Sequence, residues 1–591
     1  MKKMLNRTRR LSEQLTFVGS IMLLFVIGID FGYPDIYWNQ VFTETFYVLY
    51  SALFCYRMYA MSLVSHRSDY YYQKGRVLVT ILAVFLAATS TLNVARFVID
   101  NPPDIDVVVA VAGFLLAITD ISERIFRIQE QRVHPALAFV LSFFVLIILG
   151  TSLLLLPLST PHGISAVDAL FTATSAVCVT GLIVVDTGSD FTRFGQVILL
   201  MLIQFGGLGM LTFTNLFGLF FRGSSSLQNR LILKNRINAS QVGNTFRRLI
   251  QIIIFTLLVE ALGATIIYFS IGSDLPDTQD RFFFSIFHAI SAFCNAGFST
   301  LSNSLYEPFI RHKYAIHLII AGLIILGGIG FGVVIDYYRY LVKWIRYRIH
   351  VLKRITRKEK ALSPPDISLN TTLIVRASLV LWVGGTVMFF LLEQKHILAG
   401  GSSFGQWVTS VFTAVTPRTA GFNTVPIDEL RTPTIVLLLF LMWIGASPGS
   451  TGGGVKTTTF ALCFLNIVQQ IKGTDRMRVG WKEVPPEAQR RAMSILTLSL
   501  AGIGTSSFLL LLTDGHLGLR AIFFECVSAF STVGLTLGIT GSLSTPGKII
   551  ITLAMFVGRV GFLTLLTGII RQLVHYKHQP GRYPEEEIFI N

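Results

Sequence analysis

The sequence predicts an all-α integral membrane protein, and three observations carry that prediction. The 591 residues are 52% hydrophobic and only 14% charged, where an ordinary soluble domain is about a quarter charged. Apolar stretches close to the roughly 20 residues that cross a hydrocarbon core recur along the whole chain. From about residue 136 onward the stretches come in pairs, each pair flanking a short half-apolar segment, and this pattern runs four times. Such a composition excludes a disordered chain, a nucleic-acid-binding domain and a cytosolic enzyme.

The first element opens with the basic stretch from Met1 to Arg10 and continues as an apolar run from Phe17 to Ile29. Asp30 to Pro34 give no small-x-small cleavage site, so the run reads as an uncleaved span. Further spans near 41–64, 77–99 and 106–121 complete a unit of four N-terminal transmembrane helices over residues 1–132. None carries arginine at every third position, which sets a voltage sensor aside; peripheral support, dimer contact or sensing are the roles expected of them. The long spans that follow lie near 136–158, 195–221, 248–271, 314–342, 372–392, 433–468, 492–513 and 547–573. They divide the rest into repeats over 133–235, 236–366, 367–485 and 486–591, the last including a cytoplasmic tail.

Charge sets orientation. The net charge of +16 lies mostly in short loops between apolar segments, and 35 of the 49 lysines and arginines fall on one side if the N-terminus is cytoplasmic. The opposite loops carry acidic tips such as Asp100, Asp104, Asp106, Asp274, Asp277 and Asp280. The positive-inside rule therefore places both termini in the cytoplasm, and this distribution argues against nucleic acid as a partner. Five scattered cysteines (Cys55, Cys178, Cys294, Cys463, Cys526) read as small buried side chains, forming neither a disulfide framework nor a metal site.

The short segments are too brief to cross a bilayer. They run from Phe171 to Gly181, Phe287 to Gly297, Phe412 to Gly421 and Phe524 to Gly534. Their glycines are 116, 124 and 113 residues apart, and the third segment is one residue shorter than the others. Duplicated units of this kind are expected of a transport protein. A ten-residue helix that enters the membrane and stops leaves irregular backbone at depth, tolerated only in protein or along a water-filled cavity. Four such strands around one axis give rings of carbonyl oxygens able to replace an ion's hydration shell. The predicted arrangement is four span–pore-helix–span repeats, pseudo-fourfold around a central ion pore. The oxygens expected to line it belong to Val179, Thr180, Gly181, Asn295, Ala296, Gly297, Thr419, Ala420, Gly421, Thr532, Val533 and Gly534. A glycine C-cap explains one such segment and fails to explain four in register.

These residues carry a family resemblance. The repeated unit, the stretch from Ala173 to Leu182 with Val185-Asp-Thr187, and Gln204-Phe-Gly-Gly-Leu-Gly209 resemble the Trk/Ktr/HKT superfamily of potassium transporters, in particular its bacterial TrkH/KtrB pore-forming subunits. The resemblance covers about residues 135–575. It implies potassium (K+) as the transported ion at the filter residues, since the family associates glycine at all four filter positions with potassium selectivity. Sodium-preferring plant members carry serine at the first position, here Gly181. The resemblance further implies a homodimer in the cell membrane and a cytoplasmic nucleotide-binding regulatory ring (TrkA/KtrA-like). The basic segment 339–366 is the candidate contact for that ring.

The third glycine-rich span breaks its own helix. Thr434 to Ile444 is apolar, then Gly445, Ser447, Pro448, Gly449, Gly452, Gly453 and Gly454 interrupt it before Lys456. Family resemblance makes this loop an intramembrane gate and gives Arg559 the task of holding it closed. An arginine at that depth marks a functional site by default. Gly449 to Thr457 also comes within one residue of a nucleotide-binding P-loop, but Val455 separates the last glycine from the lysine and the setting is membrane sequence.

Six basic residues lie within predicted membrane sequence: Arg57, Arg96, Arg376, Arg418, Lys456 and Arg559. Arg57 and Arg96 are expected to snorkel or pair locally, and Arg418 to brace the filter through backbone carbonyls. Glu260 and Glu525 are candidate partners for these arginines. His312, His317, His575 and His578 are assigned structural or solvated roles. No polar catalytic cluster is present, so the chain is not read as an enzyme, and no cofactor is expected to bind it. The functional expectation is potassium uptake through a channel-like pore; the alternative is a sodium- or proton-coupled secondary transporter of another small cation or solute.

Overall fold

A computed structural model describes scattered residues between 14 and 26, residues 37–62, residue 113, and residues 135–221, 239–356 and 367–573, apart from 273–274, 276–279, 475 and 480–481. Most of the predicted N-terminal unit, including Arg96, lies outside the described residues, as does the tail with His575 and His578. Among the described residues the fold is all-α apart from a two-stranded antiparallel hairpin, β1 (Arg478–Val479) with β2 (Lys482–Glu483). Helix α1 (Tyr37–Ser62) stands in the N-terminal unit.

The paired pattern then appears as helices. Helix α2 (Pro135–Leu154), the short α3 (Ala166–Val177) and α4 (Arg193–Phe221) come first, followed by α5 (Ala239–Ile271), the short α6 (Arg281–Cys294), and α7 (Tyr314–Ile329) with α8 (Phe331–Thr356). Next are α9 (Leu369–Glu393), the short α10 (Ser403–Val415), α11 (Thr432–Trp443) and α12 (Thr457–Ile471). The last set is α13 (Pro486–Asp514), the short α14 (Leu519–Phe530), α15 (Thr545–Val560) and α16 (Phe562–Leu573).

Local chemistry sets several helix starts. Ser165, Asp280 and Ser402 cap α3, α6 and α10, each side chain accepting a hydrogen bond from a first-turn backbone N–H. The phenylalanines that open the four short segments anchor these helices: Phe171, Phe287, Phe412 and Phe524 are each at most 1% exposed. A fully buried aromatic side chain contributes about 1.5–3 kcal/mol.

Packing between sets is cyclic. The helix after each short helix packs on the next short helix along the chain: α4 on α6, α7 on α10, α11 on α14, and α15 back on α3. Two ion pairs tie such neighbours together, Arg193–Asp280 at 2.8 Å between α4 and the α6 cap, and the largely buried Lys548–Asp168 at 2.5 Å between α15 and α3. Outward-facing apolar side chains such as Phe269 and Val380, 74% and 72% exposed, suit a lipid surface.

Two spans expected to be continuous are bent. The chain turns by 91° between α7 and α8 and by 83° between α15 and α16. Gly330 and Gly561 stand at the corners with φ of 91° and 85°, a conformation closed to other residues at low cost. Among the described residues three helices are long and apolar enough to cross a membrane, or up to five if each bent pair counts as one span.

Candidate functional site

After each short helix the backbone takes the same unusual path. Val179, Asn295, Thr419 and Thr532 have left-handed φ of 55°, 60°, 73° and 51°. Two residues later Gly181, Gly297, Gly421 and Gly534 have φ of 89°, 71°, 80° and 93°. Ser304 supplies the one other non-glycine residue of positive φ among those described, so this conformation is concentrated at four matching positions. For β-branched Val179, Thr419 and Thr532 it costs about 1–2 kcal/mol each, and it persists because the surroundings hold it. In an extended strand successive carbonyls point to opposite sides. A left-handed residue at every second position reverses alternate peptide planes and turns the carbonyls toward one side.

The four strands close on one another. A Cβ added to Gly181 would collide with the carbonyl oxygen of Ala296, one at Gly297 would stand 2.7 Å from that of Ala420, and one at Gly421 would stand 2.5 Å from that of Val533. A Cβ at Gly534 would collide with the carbonyl oxygen of Thr180, which completes the cycle. Thr180, Ala296, Ala420 and Val533 are the residues just before the four glycines, so each glycine packs on the equivalent carbonyl of the next strand. All twelve sequence-predicted residues of this site therefore lie in one assembly.

A hydroxyl four residues after each opening phenylalanine braces these strands, a role the sequence reading missed. The backbone N–H of Gly181 donates to Ser175 Oγ at 3.1 Å, and that of Gly534 to Ser528 Oγ at 3.1 Å. In the other two segments the hydroxyl is the donor: Ser291 Oγ to the Phe298 carbonyl at 2.7 Å and Thr416 Oγ1 to the Phe422 carbonyl at 2.6 Å. The signal was visible as Ser, Ser, Thr and Ser at one position of four aligned segments.

The glycine-rich break lies beside this assembly. Residues between α11 and α12 are non-helical, and Ile444 and Val455 at the ends form an isolated parallel bridge. A Cβ on Gly452 would strike the Thr419 side chain, and one on Gly453 the Thr532 side chain. The loop thus lies in contact with the third and fourth strands. Thr451, another residue the sequence reading missed, is its hub. Its N–H donates to the Gly327 carbonyl at 3.3 Å, its Oγ1 to the Phe293 carbonyl at 3.1 Å, and its own carbonyl accepts from Arg559 Nη1 at 2.5 Å. Arg559 is fully buried and its Nη2 donates to the Gly206 carbonyl at 2.7 Å. Ser447 N–H donates to the Gly328 carbonyl at 3.0 Å, and Lys456 Nζ to the Gly452 carbonyl at 2.5 Å. The loop tip rests in the α7–α8 corner, where Phe331 N–H donates to the Gly449 carbonyl at 3.1 Å and a Cβ on Gly330 would stand 2.8 Å from the Pro448 oxygen.

Other expectations change. Arg418 braces the start of the loop instead of one of the four strands: its Nη2 donates to the Gly445 carbonyl at 3.1 Å, and its guanidinium lies 5.2 Å from the Trp382 ring centroid. Among the described residues, neither candidate glutamate meets an arginine. Glu260 accepts from Gln204 Nε2 at 3.1 Å and from the Cys294 thiol at 3.7 Å; Glu525 accepts from Thr536 at 2.8 Å and Thr540 at 2.5 Å. Hydroxyl, amide and thiol donors within reach satisfy both carboxyl groups without a cation. Arg376 is exposed on α9, and the side chain of Arg57 lies outside the described residues. His317 is buried against Tyr314 and Phe412.

Comparison with known proteins follows the same residues. The TrkH family, described as cation transport protein, matches residues 111–575. The Ktr system potassium uptake protein B of Vibrio alginolyticus is 35% identical over 457 residues, 76% of this chain and 93% of that protein. Its Bacillus subtilis namesake is also 35% identical, over 78% of this chain and 98% of that protein. The potassium/sodium uptake protein NtpJ of Enterococcus hirae is 33% identical, with coverage of 78% and 98%. The crystal structure of the potassium transporter TrkH from Vibrio parahaemolyticus shares the fold, with a TM-score of 0.59 at 19% identity over 83% of this chain and 97% of that one. This all-α membrane protein belongs to the TrkH family of cation transport proteins.

Proposed function

We propose that the chain takes up potassium across the cell membrane through one pore made by four pseudo-symmetric span–pore-helix–span units. The observation that carries the reading is the closed cycle in which each filter glycine packs on the next strand's carbonyl. Rings of such oxygens replace water around a weakly hydrated monovalent cation. The four short helices all end at these strands, and a helix C-terminus carries about half a negative charge. The site thus attracts a cation without any carboxylate.

The loop between α11 and α12 is the gate. It touches Thr419 and Thr532, and Arg559 fastens it through the Thr451 carbonyl. Flux requires the loop to leave, and Arg559 sets how readily it does. Homodimer assembly, cytoplasmic termini, regulation by a nucleotide-binding ring and the accessory role of the N-terminal helices complete the proposal, supported by family membership and charge distribution.

The test is ⁸⁶Rb⁺ uptake into proteoliposomes containing the purified chain, with K+, Na+ and Li+ as competitors. Competition by K+ and not by Na+ is the expected result. The Enterococcus hirae relative, named for both ions, favours a second reading in which sodium also passes; equal competition by Na+ would select it. Uptake of an organic solute insensitive to K+ and Rb+ would overturn both.

A further inference from the structure

Helix α8 leaves the bundle sideways, and its neighbours fix the depth at which it turns. The apolar stretch of α5 from Ile250 to Ile271 has 22 residues, about 33 Å at roughly 1.5 Å per residue. Helix α7 starts beside its far end, where Lys313 Nζ donates to the Ile271 carbonyl at 2.5 Å. The 16 residues of α7 descend about 24 Å, which leaves the Gly330 corner about 9 Å short of the level of Ile250. Side-chain contacts agree: Phe331 packs with Ile252, and its ring centroid lies 5.6 Å from that of Phe255. After a turn of 91°, α8 runs along the boundary where α5 enters hydrocarbon.

The two faces of α8 differ. Tyr338, Leu341 and Ile345, spaced i, i+3 and i+7, are 67%, 53% and 44% exposed. Asp336, Arg339 and Lys343 repeat that spacing on the opposite face. Asp336 accepts from Thr371 Oγ1 at 2.7 Å, in the first turn of the α9 span. That contact holds the polar face at the end of a span and turns the apolar face the other way. Six lysines and arginines stand in α8 against Asp336 alone.

We propose that α8 lies in the cytoplasmic leaflet and binds anionic phospholipid, with Tyr338, Leu341 and Ile345 among acyl chains and Lys343 at headgroup phosphate. Amphipathic helices of this kind lie in the membrane interface, their apolar face buried about 5–10 Å into it. Basic residues there draw anionic headgroups. A soluble partner would account for the basic residues; the exit at the depth where α5 enters hydrocarbon favours lipid. The helix also begins at the gate loop, since Phe331 N–H donates to the Gly449 carbonyl at 3.1 Å, so leaflet composition bears on the loop tip. That coupling rests on the gate reading, and the choice of leaflet on the orientation proposed above; lipid binding rests on neither.

The test uses the full-length chain in liposomes, with a bimane fluorophore on Leu341→Cys and, separately, on Ile345→Cys. Cys55, the one native cysteine that is not buried, is changed to serine. Phospholipids with brominated acyl chains quench the fluorophore from the hydrocarbon, and iodide quenches it from water. Brominated phosphatidylglycerol should occupy the site at least about fivefold more tightly than brominated phosphatidylcholine. Lys343→Gln should lower that preference about fivefold, the weight of one basic residue at a membrane surface, and Lys343→Arg should keep it. Equal quenching by the two lipids, or a preference unchanged in Lys343→Gln, overturns the headgroup assignment. Quenching by iodide and by neither lipid gives the face to water or a soluble partner, and protection from every quencher gives it to a second copy of the chain; both overturn the proposal. No arm measures ion flux, so failure here is separable from failure of the transport reading.

Discussion

Replacing Gly181 by serine forces a side chain into the tightest point of the carbonyl cycle. Two costs add. A non-glycine residue at φ of 89° costs about 1–2 kcal/mol. The new Cβ also collides with the Ala296 carbonyl oxygen, a backbone atom that cannot rotate away, and displacing packed structure costs about 1–3 kcal/mol more. The sum, roughly 2–5 kcal/mol, shifts the population of the intact ring by about 30-fold or more at 1.4 kcal/mol per tenfold. The neighbouring strand moves away, the Ala296 oxygen goes with it, and discrimination between K+ and Na+ is lost. Gly163→Ser is the control: its φ is 77°, but nothing lies within 4 Å of an added Cβ, so only the first cost applies. Competition of Na+ against ⁸⁶Rb⁺ uptake in proteoliposomes reads the outcome. Gly181→Ser should admit Na+ while Gly163→Ser keeps wild-type selectivity. Unchanged selectivity in Gly181→Ser, at wild-type stability, would refute the ring.

Three further outcomes follow from the same geometry. Arg559→Gln removes the charge-assisted bond to the Thr451 carbonyl, worth about 1.5–3 kcal/mol before desolvation is offset, and should raise ⁸⁶Rb⁺ flux at least severalfold; flux at the wild-type level would sink the lock. Shortening the 445–454 loop should raise flux without altering K+ over Na+ preference, and a selectivity change would mean that the loop shapes the filter as well. Ser528→Ala orphans the buried Gly534 N–H, at about 1–3 kcal/mol, whereas Ser291→Ala only removes one donor from the Phe298 carbonyl. Thermal unfolding should therefore fall further for Ser528→Ala, and an equal or reversed order would contradict the assigned donor directions.

The paired helices, the four short segments and the broken third span were legible because each rests on local sequence: hydrophobic length, a phenylalanine-to-glycine spacing, and a run of glycines with Pro448. The bends at Gly330 and Gly561 were not. Each glycine sits in apolar sequence that satisfies a continuous span, and nothing local distinguishes a corner from a packing glycine. At Gly330 the loop tip from another unit fills the corner, a contact more than a hundred residues distant in sequence. Partners of buried charges were illegible for a related reason. Glu260 and Glu525 looked short of a cation, yet neutral donors such as Gln204 and Thr540 satisfy them, and opposite charge is the wrong signal where several hydrogen bonds are available. Arg418 and Arg559 instead find backbone carbonyls, which every sequence position offers equally.

The third unit differs from the other three at one contact, and that difference accounts for the loop. In the first, second and fourth units a helical glycine packs on a carbonyl at the end of the short helix: Gly206 on Val177, Gly327 on Phe293, Gly558 on Phe530. None of these three has room for a Cβ, so backbone touches backbone and the helix stays docked. In the third unit the corresponding Gly445 packs on Gly453 of its own loop. The short segment there is one residue shorter, with Pro417 after α10, and the buried side chain of Arg418 reaches the Gly445 carbonyl. A long side chain stands where the other units have direct backbone contact. The helix that would have continued through Gly445 loses its docking surface; backbone groups of Thr451 and Ser447 find partners on α7 and α15, and the Thr451 hydroxyl finds one on α6. Those partners are single hydrogen bonds between units, each replaceable by water, whereas the three docked glycines are held by close packing. In the one unit whose loop contacts the Thr419 and Thr532 side chains, exchangeable hydrogen bonds thus replace close packing, so on the gate reading proposed above this loop can move without dismantling the carbonyl ring.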